Sequence, residues 1–345
     1  MATAIDIVKA TVDSSTVLRD NITAGTGATL NSIGGQILNY TPYMNEFINT
    51  LVNRILFQEV HARAYDNPLR IFKGADVPFG TDVQESIANP AIATPYDATA
   101  LSDILTPAQP DVKTVYYRRN RQDKYKVTIY DEVLKGAFIS NEAFGNFISM
   151  IINTLTSGDN IDEFTLMKGL LATAINDGNV NSTTVPANAD HKLFAESLVT
   201  DAKAKFLQFQ FPSTNYNTYL KMATASGVAN PTALKTWSSP DNISILIRAD
   251  VAAFTDVEVL AKAFNMNKSE FMGRQVMVDS FGEDGDASKT LALICDNSFI
   301  KCFDNRFVTA NTEYNPATLS RTYYLHHWET MAVSPFANAW AFKEA

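Results

Sequence analysis

The stretch from residue 271 to residue 345 constrains the fold most, because it is a series of short apolar runs separated by turn-forming residues. Alternating or continuous apolar runs of about four to eight residues, bounded by Gly, Asp and Asn, are typical of half-buried or buried strands. The runs lie at residues 273–279, 291–295, 299–303, 323–328 and 340–342. Titratable side chains are seldom paired in this stretch, so the sequence favours a shell or scaffold subunit over an enzyme.

The net charge of −9 argues against a protein whose main task is to grip nucleic acid, because such a protein needs a basic stripe that displaces counterions. The charge is compatible with a protein that surrounds DNA without holding it. No apolar run approaches the roughly 20 residues that cross a bilayer. Charged residues at positions 6, 9 and 13 interrupt any N-terminal export signal. We therefore expect a protein that is made in the cytoplasm and has no membrane partner.

The two cysteines, Cys295 and Cys302, lie in neighbouring predicted strands. Buried free thiols in a reducing compartment are the interpretation we favour, and a disulfide or a metal pair is the alternative. The sequence predicts no cofactor site around either thiol.

Residues 1–40 are small and polar, with glycines at 25, 27, 34 and 35, and predict an extended or mobile arm. A first helix is expected to begin at Thr41, because the proline that follows suits the first helical position. The apolar side chains expected on its buried face are Phe47, Leu51, Ile55 and Leu56.

Residues 61–114 contain six prolines and show no helical period. A segment of this length is far longer than an ordinary connecting loop. Such a loop is either disordered or held by another chain. Residues 112–117 and 125–130 are β-rich, and the polar segment between them predicts a hairpin. A lone hairpin is marginal in water unless its face is covered, so these strands also favour contact with a neighbouring chain.

The basic end of this predicted hairpin is the one candidate interaction site. We expect its cations to pair with carboxylates of a neighbouring subunit or to be solvated, and contact with DNA is the alternative. The residues are Arg118, Arg119, Arg121, Lys124 and Lys126.

Two helical runs follow, the first of them capped by Ser140 or Asn141. The expected stripes are Phe144, Phe147, Ile148, Ile151 and Leu155 in the first run and Ile161, Phe164, Leu170, Leu171, Ala174 and Ile175 in the second. The stripe changes phase at residues 157–160, which predicts a kink or break. The second run is expected to end at Gly178. Together the runs would form a strut of about 50 Å.

A mixed region follows, with a strand expected at 243–247 and a helix at 257–264. The sequence Asp284-Gly285-Asp286 is interpreted as a hairpin turn. Calcium binding is the alternative, but the other ligands of a calcium loop are missing.

The order of these parts resembles that of tailed-phage major capsid proteins of the Hong Kong 97 type, and within them the head proteins of small short-tailed phages. The resemblance covers about residues 40–345. It rests on the stretches 239–247, 256–265 and 315–345, the last of which includes Ser334-Pro335-Phe336-Ala337-Asn338-Ala339.

The resemblance implies an α+β fold with an N-terminal arm and first helix (1–57), an extension loop (58–134), a peripheral domain with a long spine helix (135–196), an axial domain (197–304) and return strands of the peripheral domain (305–345). It also implies self-assembly as pentamers and hexamers into an icosahedral head that encloses double-stranded DNA without sequence preference. A scaffolding protein and a portal are the further expected partners. Some relatives are crosslinked by a Lys to Asn isopeptide bond, for which Lys113 and Lys124 are the candidate lysines here.

Two other functions remain open. The first is an encapsulin-type shell that encloses cargo enzymes. The second, a metal-dependent hydrolase, depends on the cluster His326-His327-Trp328-Glu329, but adjacent histidines on a strand point to opposite faces and cannot easily share a metal. We therefore predict no catalytic, cofactor or metal residues and no enzymatic activity.

Overall fold

The computed structural model of the chain describes residues 4–25, 27–54, 65–77, 82–93, 107, 109–139, 141–186, 191–254, 274–311 and 314–345. These residues form two compact units. Unit 1 contains Met1–Asn67, Arg121–Phe164 and Arg306–Trp328. Unit 2 contains Pro68–Asn120, Thr165–Asn305 and Glu329–Ala345.

The described elements mix helices and strands along the whole chain. The helices are α1 (Ala4–Ser14), α2 (Thr16–Asn21), α3 (Leu30–Leu38), α4 (Thr41–Arg54), α5 (Asp131–Ala137), α6 (Asn141–Ile152), α7 (Gly158–Asn176), α8 (His191–Gln208), α9 (Tyr219–Ala225), α10 (Ala249–Phe254) and α11 (Gly285–Ser288). The strands are β1 (Asp82–Ala88), β2 (Val112–Arg118), β3 (Arg121–Tyr130), β4 (Asn181–Val185), β5 (Ile243–Arg248), β6 (Arg274–Val278), β7 (Thr290–Asp296), β8 (Ile300–Asn311), β9 (Ser320–Val333) and β10 (Ala339–Glu344). Short 3-10 helices lie at Pro68–Phe72 and Pro240–Asn242, and a π-helical turn lies at Asn153–Ser157.

The strands form three sheets. A two-stranded sheet has the order β1-β2, a five-stranded sheet has the order β4-β10-β7-β5-β6, and a three-stranded sheet has the order β3-β9-β8. The strands expected in the C-terminal stretch and at 243–247 are thus confirmed. The helix expected at 257–264 lies outside the described residues.

The expectation of an extended or mobile N-terminal arm was wrong for the described residues. Three helices, α1 to α3, occupy this segment, and α3 begins with a capping box between Thr29 and Ser32. Their apolar side chains recur at helical spacing and enter the core of unit 1, where Val8, Ile33 and Ile37 are fully buried. Of the small and polar residues that suggested disorder, Thr16, Asn21 and Ser32 are exposed, whereas Thr11 and Gly34 are buried.

Helix α4 begins at Thr41 as expected, and Phe47 and Leu51 on its inner face are fully buried. The other two positions of the expected stripe, Ile55 and Leu56, lie outside the described residues. The inner side chains of α4 join those of α1, α3 and α6 in one apolar cluster.

The expected irregularity between the two helical runs is a π-helical turn rather than a break. Helix α6 leads directly into this turn, and α7 continues directly from it, without a loop. A π turn inserts one extra residue and so changes the phase of an apolar stripe. The buried stripe is confirmed at Phe144, Phe147, Ile151 and Leu155 before the change. After it, the apolar positions Leu171, Ala174 and Ile175 are buried.

The stripe differs at Ile161, which is exposed, and at Phe164 and Leu170, which are partly buried. The run ends as expected at Gly178, whose φ of +67° is the left-handed conformation that glycine adopts without strain.

The predicted hairpin between residues 112–117 and 125–130 was wrong. Strand β2 pairs with β1, antiparallel, from Val112 opposite Ala88 to Arg118 opposite Asp82. Strand β3 belongs instead to the three-stranded sheet, beside β9. Strands that are adjacent in the sequence often pair, but here the partner of β2 is β1, which precedes it by a longer segment.

The interpretation of Asp284-Gly285-Asp286 as a hairpin turn was also wrong. Strands β6 and β7 do not pair with each other, because β5 lies between them, parallel to β6 and antiparallel to β7. The segment forms the start of the short helix α11, and Gly285 has a φ of +62°. A side chain at that φ would be strained and would meet the Asn176 amide.

Candidate assembly surfaces

The β1-β2 hairpin in unit 2 has two chemically different faces. The inner face carries Glu85, whose carboxylate accepts hydrogen bonds from Tyr117 and from the Ser334 hydroxyl at 2.8 Å, and forms an ion pair with Lys301 at 2.9 Å. Burial and the neighbouring Glu85 carboxylate raise the pKa of the Tyr117 phenol, which therefore stays a neutral donor. This face is bound to the rest of unit 2.

The outer face of the hairpin is exposed. Arg118 forms an ion pair with Asp82 on the opposite strand at 3.1 Å, and both side chains remain in solvent. Exposed Tyr116 and Val112 lie on the same face, because strand residues two apart point the same way. Two exposed apolar side chains beside an exposed ion pair form a surface suited to a protein partner.

The end of the hairpin where β1 finishes and β2 begins is held by a polar cluster around Asp111. Its carboxylate accepts hydrogen bonds from Lys113 at 2.5 Å, from Asn89 at 2.8 Å and from Thr232 at 2.9 Å. The amide oxygen of Asn89 also accepts from the Lys235 backbone N–H. These bonds join both strands, at this end of the hairpin, to residues 232–235.

The hydrogen bond from Lys113, followed by those from Asn89 and Thr232, lowers the pKa of Asp111 to about 2. A lowered pKa in the folded state contributes stability above the ordinary value of about 4, and that contribution is lost as the pH falls through the lowered value. We expect Asp111 to remain ionised at a pH of about 3, where an ordinary aspartate is largely protonated. A carbon-13 NMR titration of its carboxyl group measures this. In Lys113→Met the pKa should move up towards the ordinary value, and a wild-type midpoint near 4 would contradict the cluster.

The segment that precedes the hairpin is also fastened inside unit 2. The N–H groups of Gly74 and Val77 donate to backbone oxygens of β8 at 2.7 and 2.8 Å. Lys73 places its ammonium 2.8 Å from Asp304 and 3.1 Å from Glu329, whose side chain is fully buried. Gly74 permits this approach, because a Cβ there would meet the Phe303 ring.

The five predicted basic site residues are separated by the structure. Arg118 lies on the outer face of the hairpin, and Arg119 is half-buried in the connection between β2 and β3. Lys124 and Lys126 are exposed on β3 and point away from the core of unit 1.

Arg121 is enclosed in unit 1. Its guanidinium donates to the Asp159 carboxylate at 2.8 Å, to Asp123 at 2.8 Å and to the Tyr125 hydroxyl at 2.8 Å. The side chains of Arg121 and Asp159 are 3% and 4% exposed, so this pair supports the fold and is not available to a neighbour.

The histidines at 326 and 327 point to opposite faces of β9, as expected. His327 is buried with Nδ1 2.8 and 2.9 Å from the two carboxylate oxygens of Asp159. The edge of the Phe307 ring meets its imidazole at 5.2 Å between centroids. His326 lies on the outer face and stacks on Tyr324.

Asp159 therefore binds two buried basic side chains. Sequence reasoning missed this role, because Asp159 was seen only as part of a predicted kink, and its two partners are distant along the chain. The strand β1 was missed as well, because only Val83 and Ile87 follow the alternation and the charged Glu85 between them interrupts it.

Both cysteines are free and buried, as predicted. Burial raises the pKa of the Cys295 thiol, which stays protonated. Among the described helices, none is long and apolar enough to cross a membrane.

Comparison with solved structures shows the fold. The chain is similar to a chain in the capsid structure of Staphylococcus phage Andhra, with a TM-score of 0.62, 18% sequence identity, and coverage of 83% of this chain and 86% of that one. A chain from the native bacteriophage P68 structure matches with a TM-score of 0.58 and 18% identity, over 81% of this chain and 85% of that one. The expected α+β fold of the Hong Kong 97 type is thereby confirmed.

Comparison with curated proteins shows the family. The major capsid protein of Bacillus phage PZA is 33% identical over 90% of this chain and 66% of its own length, and that of Bacillus phage GA-1 is 30% identical over 99% and 69%. The chain thus spans about two thirds of the length of these relatives. A family model described as the Phi29-like phage major capsid protein matches residues 8–343. The chain belongs to the Phi29-like phage major capsid protein family.

Proposed function

We propose that this chain is the structural subunit of an icosahedral phage head, and that it assembles with itself as pentamers and hexamers around packaged double-stranded DNA. The family match supports this role, and the β1-β2 hairpin is the structural observation that carries it. The inner face of the hairpin and its Asn89–Asp111 end are bound within unit 2, while the outer face presents Val112, Tyr116 and Arg118 to solvent. An anchored strand pair with an exposed outer face suits overlap with a neighbouring subunit.

We also propose a division into an N-terminal segment that includes helices α1 to α4 (1–57), an extension loop (58–134), a peripheral domain (135–196), an axial domain (197–304) and return strands (305–345). The exposed hairpin within 82–118 supports the second of these parts. Of the predicted basic residues, we propose Arg118 and Arg119 for the subunit interface. Arg121 does not belong to it, because its guanidinium is enclosed in unit 1.

A purely structural role fits the contacts of the titratable groups. His327 is engaged by Asp159, and Glu163 accepts a hydrogen bond from the Asn67 amide at 2.9 Å, so both have structural partners. We propose that the chain has no enzymatic activity, resides in the virion capsid after assembly in the host cytoplasm, and uses a scaffolding protein and a portal as partners. The family match favours the head over the encapsulin-type shell and the metal-dependent hydrolase.

Negative-stain electron microscopy with sedimentation velocity tests assembly. The purified subunit, concentrated stepwise alone and with the scaffolding protein of its phage, should form rings of five or six, curved sheets or closed shells. The double variant Tyr116→Asp with Arg118→Glu should stay unassembled, because it places negative charge on the proposed contact face and repels Asp82.

The matched control is Lys289→Glu, which makes the same charge change as Arg118→Glu at an exposed position of unit 2. It should assemble like the wild type, and both variants should unfold cooperatively with near wild-type stability. If the double variant forms normal shells, the outer face of the hairpin is not part of the subunit interface.

A further inference from the structure

The outer face of the three-stranded sheet in unit 1 has a composition unlike the rest of this acidic chain. Burial alternates along β3, so Gln122, Lys124, Lys126 and Thr128 point outward. Alternation along β9 places Thr322, Tyr324, His326 and Trp328 on the outside, while Tyr323, Leu325 and His327 point inward. On β8, Arg306 lies outward, because its guanidinium is 4.9 Å from the centre of the Trp328 ring.

The two contacts that align β3 with β9 bring these outward side chains together. The hydroxyls of Thr128 and Thr322 are 2.9 Å apart, and the Asp131 N–H donates to the Leu319 oxygen at 3.0 Å. Both contacts fit one antiparallel register. Continued along the strands, it places Lys126 opposite Tyr324 and Lys124 opposite His326, which are neighbours in a sheet.

Within the described parts of these three strands, no outward side chain belongs to an acid. The nearest strand carboxylate, Asp123, points to the inner side and pairs with Arg121. An acid-free face with Lys124, Lys126 and Arg306 is notable in a chain of net charge −9, because the rest of the chain must then be more acidic than the average. Such a face attracts polyanions, and no carboxylate among its described side chains opposes the attraction.

The arrangement of the cations fits an extended line of charge. Lys124 and Lys126 are about 7 Å apart along β3, and Arg306 lies two strands away, about 10 Å across the sheet. The Trp328 ring holds the Arg306 guanidinium in place. Three cations spread over a flat face can each bind a different phosphate of a polyanion. A ligand with a single carboxylate would bind only one of the three cations.

We propose that this face, made by Lys124, Lys126, Arg306, Tyr324, His326 and Trp328, contacts the phosphate backbone of double-stranded DNA. The identity of the polyanion rests on the proposed function as a DNA-enclosing shell. The contact is electrostatic and independent of sequence, because lysine and arginine bind phosphates whatever the neighbouring bases are. It gives an acidic subunit a defined place of attraction for DNA.

The test uses two double variants. The first carries Lys124→Gln and Lys126→Gln, and the control carries Lys135→Gln and Lys289→Gln. Both pairs change the net charge equally, and the control lysines are exposed on α5 and after α11. Fluorescence anisotropy with a labelled duplex of about 20 base pairs gives the affinity of the unassembled subunit at several salt concentrations. The slope of log affinity against log salt should fall by about 2 in the first pair, with roughly 10-fold weaker binding at low salt, and should not change in the control.

Two results would overturn the proposal. Equal losses in both pairs would show that binding follows net charge rather than this face. Polyglutamate of matched charge displacing the duplex at equal concentration would assign the face to an acidic polypeptide. Electron microscopy of the same samples distinguishes the DNA contact from the shell function. Assembly together with the changed salt slope supports both proposals. A wild type that binds DNA but never assembles counts against the shell function alone.

Discussion

Asp159→Asn should lower the free energy of unfolding of the subunit by about 3–5 kcal/mol, the cost of leaving a buried charge without its partner. The Asp159 carboxylate binds Arg121 and His327 at the same time, at 2.8 Å from each. Both basic side chains are almost fully buried, so neither can turn to water when the negative charge is removed. Urea denaturation of the unassembled subunit measures the loss.

Asp123→Asn is the matched control for this prediction. Asp123 also contacts the Arg121 guanidinium at 2.8 Å, but its side chain is 43% exposed. Water can replace an exposed carboxylate, so the control should cost no more than about 1 kcal/mol. If the two variants lose the same stability, burial does not determine the strength of this cluster.

Gly34→Val should lower the free energy of unfolding by about 2–3 kcal/mol through overpacking. A Cβ at position 34 would lie 2.7 to 2.9 Å from three carbons of the Phe138 side chain. The Phe138 ring cannot move aside easily, because the rings of Phe47 and Phe144 flank it at 5.5 and 5.7 Å between centroids. Thermal or urea unfolding of the variant measures the effect.

The neighbouring glycine provides an internal control. Gly35 lies on the same helix α3, and a Cβ there meets nothing within 4 Å. Gly35→Val should therefore be neutral or stabilise by a few tenths of a kcal/mol, because valine has a better helix propensity than glycine. Opposite signs at adjacent positions would locate the effect at the Phe138 contact. Equal and small effects would indicate that α3 is not packed on this core in solution.

The sequence predicted those elements whose signal is local. The helical stripe through Phe144 and Ile151 and the apolar runs in β5, β7 and β10 depend on periodicity alone, and the structure confirms them. The phase change near residue 157 was visible for the same reason. Its form, a π turn, was not visible, because one inserted residue and a short loop disturb a stripe equally.

The errors came from choices that depend on distant residues. The partner of β2 is β1, which precedes it by a long segment rich in proline, and local pairing rules favoured β3 instead. Arg121 belonged to a basic run, which usually indicates a solvated surface, and only the fold shows that Asp159 lies beside it. The N-terminal helices are short, and packing rather than propensity stabilises helices of this length.

Strand β10 has a consequence for the order of events during synthesis. It lies inside the five-stranded sheet, parallel to β4 and antiparallel to β7, although it is the last of the described strands to be made. Until residues 339–344 have left the ribosome, β4 has no neighbour on that side and β7 exposes an edge. The sheet of unit 2 must therefore close after translation has passed Glu344, with β4 waiting while more than a hundred later residues are added. A nascent chain that stops short of residue 339 therefore carries an unfinished sheet, whose open β7 edge can pair with strands of other chains.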